Sequence, residues 1–202
     1  MKVLYLGYHN SPLVKFLKSE GDSVFVYQDK INVDFCRDNG FDFIVSYGYR
    51  YIIKEKVINE YKNRAINLHI SLLPYNRGAD PNFWSWVEYT PKGVTIHRVE
   101  KGLDAGDILI QKEVEMGDDE TFRTSYAKLH IEIQKLFKLL WYDIKNNRIE
   151  GRKQPEGGTY HRLSDKNTLI EGLESEWMNM KVSDFLEYID VKNLRKSYSK
   201  TL

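Results

Sequence analysis

A single cysteine, Cys36, occurs in the 202 residues. An internal disulfide is therefore excluded, and a reducing, cytoplasmic setting is expected. No apolar run approaches the roughly 18–20 residues that cross a bilayer, so no membrane partner is expected. The opening MKVLYLGYHN has neither a long apolar core nor a small-residue cleavage site, and reads as a first strand rather than a secretory leader. No sign of charge dominates: 30 Lys and Arg face 29 Asp and Glu, leaving +1. That balance argues against a nucleic-acid partner, which calls for clustered basic residues. Several chemical signatures are also missing. There is no Gly-x-Ser-x-Gly elbow. GYHNSP, after the first apolar run, is neither a dinucleotide fingerprint nor a P-loop, and His9, His69, His97, His130 and His161 do not fall at zinc-site spacing. No metal is expected, and neither internal repeats nor low-complexity segments occur.

What is present is a regular alternation. Apolar runs at residues 3–7, 23–27, 41–46, 65–68, 93–99 and 107–115 read as strands. Helical segments fall between them: one opened by Ser11-Pro12 and closed at Gly21, then 32–39, 54–61 and 81–88. Residues 121–147 carry apolar side chains at a period of 3.6, which predicts a long helix of roughly 40 Å. Such alternation implies an α/β fold, a Rossmann-like and mostly parallel twisted sheet with flanking helices. Two segments are expected: a core over 1–150 and an extension over 151–202. QPEGGTYHR in the extension predicts a hairpin around Gly157-Gly158, and a helical tail from Glu174 offers Trp177, Met180, Phe185, Leu186 and Ile189 for packing. Cys36 is expected on a surface helix.

The chemistry concentrates at the carboxyl end of the fourth strand, where open α/β sheets bind ligands. Asn67 and His69 stand two apart and project to one face. Asp104 lies in the glycine-flanked turn Gly102-Leu103-Asp104-Ala105-Gly106, which lets backbone approach a ligand closely. An amide, an imidazole and a carboxylate suit acyl transfer: the amide holds a developing oxyanion, the imidazole handles a proton, and the carboxylate fixes its charge. On spacing alone, each also has a purely structural use as a cap, a buried hydrogen-bonding group or a turn former. His97 reads either as a pocket residue or as a satisfied buried histidine, and His130 as a surface or packing residue.

NLHISLLPYNRG and GVTIHRVEKGLDAGDIL, in that order, resemble the two signature blocks of the folate-dependent formyltransferase family. The match is Asn67-Leu68-His69, residues 71–78, 93–95 and 103–106, within a likeness over residues 1–150. The resemblance implies transfer of formyl from N10-formyltetrahydrofolate to an amine, with Asn67, His69 and Asp104 as the catalytic set. It also implies a pterin held largely by backbone, here from Tyr49, Arg50, Tyr51 and Ile52 and from the turn at Leu103.

Members of the family formylate methionyl-tRNA, glycinamide ribonucleotide or nucleotide-linked amino sugars. The tRNA enzymes usually carry a further RNA-binding barrel, whereas about fifty residues follow the long helix here. The ribonucleotide enzymes place a glycine-rich loop where GYHNSP stands. Residues 76–84, with Tyr8, His9 and Asn10, are instead similar to bacterial sugar-nucleotide N-formyltransferases that serve surface polysaccharides such as the lipopolysaccharide O-antigen. That likeness implies acceptor contacts from Tyr8, His9, Asn10, Arg77 and Trp84, with Trp84, Trp86 and Tyr75 as an aromatic rim, or with the two tryptophans as helix anchors. The extension resembles a segment that helps several members dimerise, so a homodimer is expected, with a lid as the alternative. A formyltetrahydrofolate hydrolase would use the same three residues and release formate to water.

Overall fold

The computed structural model describes residues 1–173 and 176–198. In chain order the elements are β1 (Lys2–Gly7), α1 (Pro12–Ser19), β2 (Ser23–Tyr27), α2 (Val33–Asp38), β3 (Phe43–Tyr47), α3 (Glu55–Glu60), β4 (Ala65–His69) and β5 (Arg77–Gly78). There follow α4 (Pro81–Val87), β6 (Gly93–Arg98), β7 (Ile108–Glu113), α5 (Phe122–Lys145), β8 (Tyr160–His161), α6 (Asn167–Ile170), a 3-10 turn (Glu176–Asn179) and α7 (Val182–Tyr198).

The main sheet has the order β2-β1-β3-β4-β6-β7. Neighbours from β2 to β4 pair in parallel, β6 is antiparallel to β4, and β7 is antiparallel to β6. The expected mostly parallel α/β sheet is therefore what forms, with β6 alone running against the rest. β1 and β3 are buried almost throughout because helices cover both faces, hence their unbroken apolar runs. The chain leaves β1 towards β2 on one side and returns to β3 on the other. This reversal opens a crevice above the carboxyl ends of β1 and β3.

One face of the sheet is covered by α1 and α5. Thr121 caps α5, and Thr124 returns the bond in a capping box. Leu129, Ile133, Phe137, Trp141 and Ile144 form its buried stripe. At 24 residues α5 is about 36 Å long; it stops short of residue 147 because Asn147 turns to a φ of 53°. Its far end is pinned where the Trp141 indole donates to Asp22 (2.7 Å) and Lys145 lies 3.2 Å from the same carboxylate. Burial alone would raise the Asp22 pKa, but the hydrogen bonds from Trp141, the N-terminal amine and Lys145 hold it below the usual carboxylate range.

The other face carries α2 and α3, packed through Leu4, Leu6, Ile44, Val57 and Tyr61. Cys36 belongs to this layer and is fully buried, which corrects the surface position expected of it. Its neighbours are apolar, and desolvation pushes its thiol up to about 11.

The extension does not form the expected hairpin. Arg152 bridges antiparallel to Ile108 on β7, and β8 pairs in parallel with β5. Residues 152–161 thus run as one extended strap that is stitched to the core at both ends. Beyond it, Trp177, Val182, Phe185 and Ile189 pack on Phe83, Trp84 and Phe122. Glu174, where the sequence reading starts its tail helix, lies outside the described residues.

Candidate active site

β4 ends at His69, and β6 runs back beside it with His97 opposite Asn67 and Thr95 opposite His69. Asn67, His69 and His97 therefore reach one end of the sheet together. The turn after β6 brings Asp104 over them. That turn is held close because Arg98 N–H donates to Asp107 O (2.8 Å). Gly106 sits so near that a Cβ there would lie 1.9 Å from Arg98 O. Asp104 adopts a φ of 49°, a conformation that costs a non-glycine residue of order 1–2 kcal/mol and is tolerated best by Asp and Asn.

The Asp104 carboxylate is the hub. Asn67 Nδ2 donates to its Oδ1 (3.1 Å), and the Gly78 N–H donates to its Oδ2 (2.9 Å). His69 Nδ1 lies 3.6 Å from Oδ2 and His97 Nε2 3.4 Å from Oδ1. Burial favours the neutral acid, yet the facing His69 charge, the hydrogen bond and charge of His97 and the Gly78 N–H hold the carboxyl well below the usual range. Asp104 is therefore a fixed anion across the physiological range.

Both imidazoles have assignable protons. His69 Nε2 lies 2.9 Å from the Asn76 carbonyl, and His97 Nδ1 lies 2.8 Å from that of Arg98. A carbonyl only accepts, so each of these nitrogens carries a hydrogen. The free position on His69 is then Nδ1, facing Asp104. On His97 it is Nε2, which faces Asp104 Oδ1 and lies 3.2 Å from Asn67 Nδ2. Asn67 must point its amine inward, since its oxygen would face a carboxylate.

Asn76, which orients His69, is itself locked. It has a φ of 57°, is fully buried, and its amide group donates to Glu88 (3.1 Å) and Thr159 (3.3 Å) while accepting from Thr90 (2.8 Å).

The three residues singled out as catalytic thus come together, and His97 joins them. The sequence left His97 open because its contribution depends on β6 pairing antiparallel with β4. The Gly78 N–H and the Asn76 carbonyl are backbone groups, with no side-chain signature of their own.

The other expected contacts distribute differently. Tyr8, His9 and Asn10 are exposed on the β1–α1 loop, at the crevice, and the Tyr8 ring lies against Gly48. Arg77 is engaged inside the protein: its Nε and one terminal nitrogen donate to Gln154 Oε1 (3.1 and 2.7 Å). Trp84 departs from the expected rim. It is 8% exposed, and its ring stacks on His161 at 3.8 Å and 7°. Apolar burial of α4 on α5 draws it inward, and Trp86 likewise donates to Ser125 (3.2 Å). Tyr75 alone of that trio keeps substantial exposure.

Beyond β3, Tyr49 donates to Asp29 O (2.7 Å) and meets Tyr51 edge-on at 5.6 Å, so both rings anchor their loop. Arg50 and Ile52 stand exposed on it. Leu103 is exposed on the Asp104 turn. The two loops adjoin, because Lys101 lies 3.6 Å from Glu55 at the start of α3. Apolar side chains on adjoining loops offer surface that a flat ring can cover. His130, left as a packing residue, pairs with Tyr47 across the α5–β3 contact, and desolvation pushes it down to about 4.

Among the described residues no three His, Cys, Asp or Glu gather as a metal site, and no helix is long and apolar enough to cross a membrane.

Residues 10–139 match the family profile described as formyl transferase. The formyltransferase PseJ from Anoxybacillus kamchatkensis, solved in complex with UDP-4,6-dideoxy-4-formamido-L-AltNAc and tetrahydrofolate, is 46% identical. The alignment covers 92% of this chain and 97% of that one, with a TM-score of 0.87. A sugar N-formyltransferase from Shewanella sp FDAARGOS_354 is 26% identical over 84% of this chain and 79% of its own, with a TM-score of 0.72. The methionyl-tRNA formyltransferase of Prochlorococcus marinus subsp. pastoris is 32% identical over 144 residues, 69% of this chain and 44% of that protein. The chain spans about half the length of such curated relatives.

Proposed function

Because the chain belongs to the formyl transferase family, we propose that it transfers a formyl group from N10-formyltetrahydrofolate to the amine of a nucleotide-linked amino sugar, with Asn67, His69 and Asp104 as the catalytic residues. The observation that carries this reading is the near full-length likeness to PseJ, at 46% identity over 97% of that chain. The sugar in that complex bears a 4-formamido group, so the corresponding acceptor here is a UDP-linked 4-amino-4,6-dideoxy sugar, of the class built into bacterial surface polysaccharides.

The donor supplies the formyl group as an activated amide. Asn67 Nδ2 lends an N–H to the formyl oxygen as negative charge builds there, exchanging one of its present partners. His69 carries its mobile proton on Nδ1, the nitrogen turned towards the cluster, and shares it with that oxygen or with Asp104. Asp104, held as an anion, faces His69 and helps pass on the proton that the attacking amine sheds. As the new C–N bond forms, the bond from the formyl carbon to N10 breaks, and that proton ends on N10 of the departing tetrahydrofolate. The expected pterin contacts are the backbone of residues 49–52 with Ile52, and the turn with Leu103. Tyr8, His9 and Asn10 lie on the acceptor side of the crevice.

Residues 1–150 are the proposed catalytic domain and 151–202 its extension. A homodimer is the proposed assembly, readable by sedimentation. The lone, buried Cys36 fits a reducing, cytoplasmic compartment.

The test is a mass-spectrometric assay with N10-formyltetrahydrofolate and a panel of amino-sugar nucleotides, beside methionyl-tRNA and glycinamide ribonucleotide. The panel includes UDP- and dTDP-linked sugars with the amine at C3 or C4. Formyl gain on the UDP-linked 4-amino sugar is expected. Gain only on methionyl-tRNA would move the acceptor to the one named for the curated relatives. Donor consumption without any acceptor would make the protein a hydrolase.

A further inference from the structure

The region matching the family profile ends at residue 139, yet a side chain beyond it grips the turn that carries Asp104. Gln154 Nε2 donates to Asp104 O (2.7 Å) and to Gly106 O (2.8 Å). Its Oε1 accepts both hydrogen bonds from Arg77. The amide has one workable orientation: turned over, its oxygen would face two carbonyls and its amine a guanidinium. All four bonds bear on the same carboxylate from two sides. Asp104 sits at a φ of 49°, so its backbone does not rest there unaided. Arg77 directly precedes Gly78, whose N–H holds Asp104 Oδ2.

The strap supplying Gln154 is fixed before and after it. Arg152 exchanges backbone bonds with Ile108 in both directions (2.8 and 2.9 Å), just past the turn. Thr159 O accepts from the Arg77 N–H (3.0 Å), and Thr159 Oγ1 accepts from the Asn76 N–H (2.9 Å). Gly158 lets the strap pass so close to Pro74 that a Cβ would lie 2.1 Å from its carbonyl. Gln154 is therefore delivered by a braced backbone, half-buried between the Arg77–Gly78 strand and the Asp104 turn.

From this geometry we infer that Gln154 is a positioning residue for the catalytic carboxylate: it clamps the Asp104 turn to Arg77 and so sets Asp104 against His69 and Asn67. Arg77, which the sequence assigns to the acceptor, serves the clamp. The inference rests on the proposed formyl transfer for its kinetic readout, and on geometry alone for its structural one.

The experiment compares Gln154→Ala and Gln154→Glu with wild type and with Glu156→Ala, whose side chain is exposed on the same strap. Formyl transfer is measured at saturating donor and acceptor, and amide exchange at Gly78 is followed by NMR in the same samples. Gln154→Ala should lower kcat by roughly 10- to 100-fold with both KM values changed less than about threefold, the pattern of a displaced catalytic group rather than a lost binding contact. Gln154→Glu keeps the Arg77 contact and the side-chain volume. It should nonetheless be at least as impaired, because an oxygen then faces the two carbonyls. The Gly78 amide should exchange faster in both, and Glu156→Ala should match wild type. If Gln154→Ala does not fold, the glutamate variant decides alone. A kcat within about twofold of wild type overturns the inference, and so does a loss of kcat with Gly78 exchange unchanged. If wild-type protein formylates nothing on the panel, the functional reading fails, and Gly78 exchange alone decides the clamp.

Discussion

At the scale of single residues, the site is a carboxylate surrounded by donors. Asn67, His69, His97 and the Gly78 N–H converge on Asp104, and the charge relations fix what each can do. The folded-state pKa of Asp104 is depressed from its ordinary value of 3.8. Its contribution to stability is therefore complete above that value and is lost as the pH falls below it, where the unfolded chain takes up a proton first. Asp104→Asn should be less stable than wild type at pH 7, and the gap in urea midpoint should narrow below about pH 4. A gap unchanged between pH 7 and pH 3 would show that the carboxylate is not held this way. A strand's period of two and a glycine-flanked turn made Asn67, His69 and Asp104 candidates, but spacing alone left each a structural use, and it was the resemblance to the formyltransferase signature blocks that singled them out. Gln154 was not legible, since its contact spans 50 residues through a strap whose path no local pattern records.

Among the elements, β6 decides which histidines meet. Its antiparallel register sets His97 opposite Asn67, and an apolar strand read alone does not reveal its direction. The long α5 was plain in the sequence because its stripe keeps a helical period over 24 residues. Phe137 in that stripe is fully buried between Phe16 and Trp141. Phe137→Ala should cost about 3–5 kcal/mol in denaturant unfolding, and a loss below about 1 kcal/mol would mean that the stripe is not packed as described. The Asp104 turn has its own steric requirement. A Cβ at Gly106 meets backbone at 1.9 Å, so Gly106→Ala should shift the turn, lower kcat more than tenfold and lower the melting temperature as well. The strap misled the sequence reading because Gly157-Gly158 carries hairpin chemistry. Gly158 in fact serves close passage over Pro74, a requirement visible only once the two segments are side by side.

For the whole molecule, the sheet's order places the exposed Tyr8–Asn10 turn and the segment after β3 at one rim, and the Asp104 turn, which leaves β6 near the amino end of β4, folds back over the site to meet His69 and Gly78. That placement follows from alternating strands and helices, which is why the fold class was readable before any side-chain contact. The position of Trp84 was not, because whether α4 turns its tryptophan inward depends on α5, His161 and the tail packing against it. Since the proposed formyl transfer calls only on hydrogen-bond donors and proton carriers, a chelator such as EDTA should leave the rate unchanged; inhibition reversed by added metal would refute a metal-free mechanism. The central claim is that Asn67 and His69 stabilise the charge that builds on the formyl oxygen above Asp104. The most direct measurement is the single-turnover rate of formyl transfer in Asn67→Ala at saturating acceptor, with donor affinity determined in the same protein. The account predicts a rate lower by roughly 10²–10³ with donor affinity within a few fold of wild type. An unchanged rate, or a loss explained wholly by weaker donor binding, would contradict it.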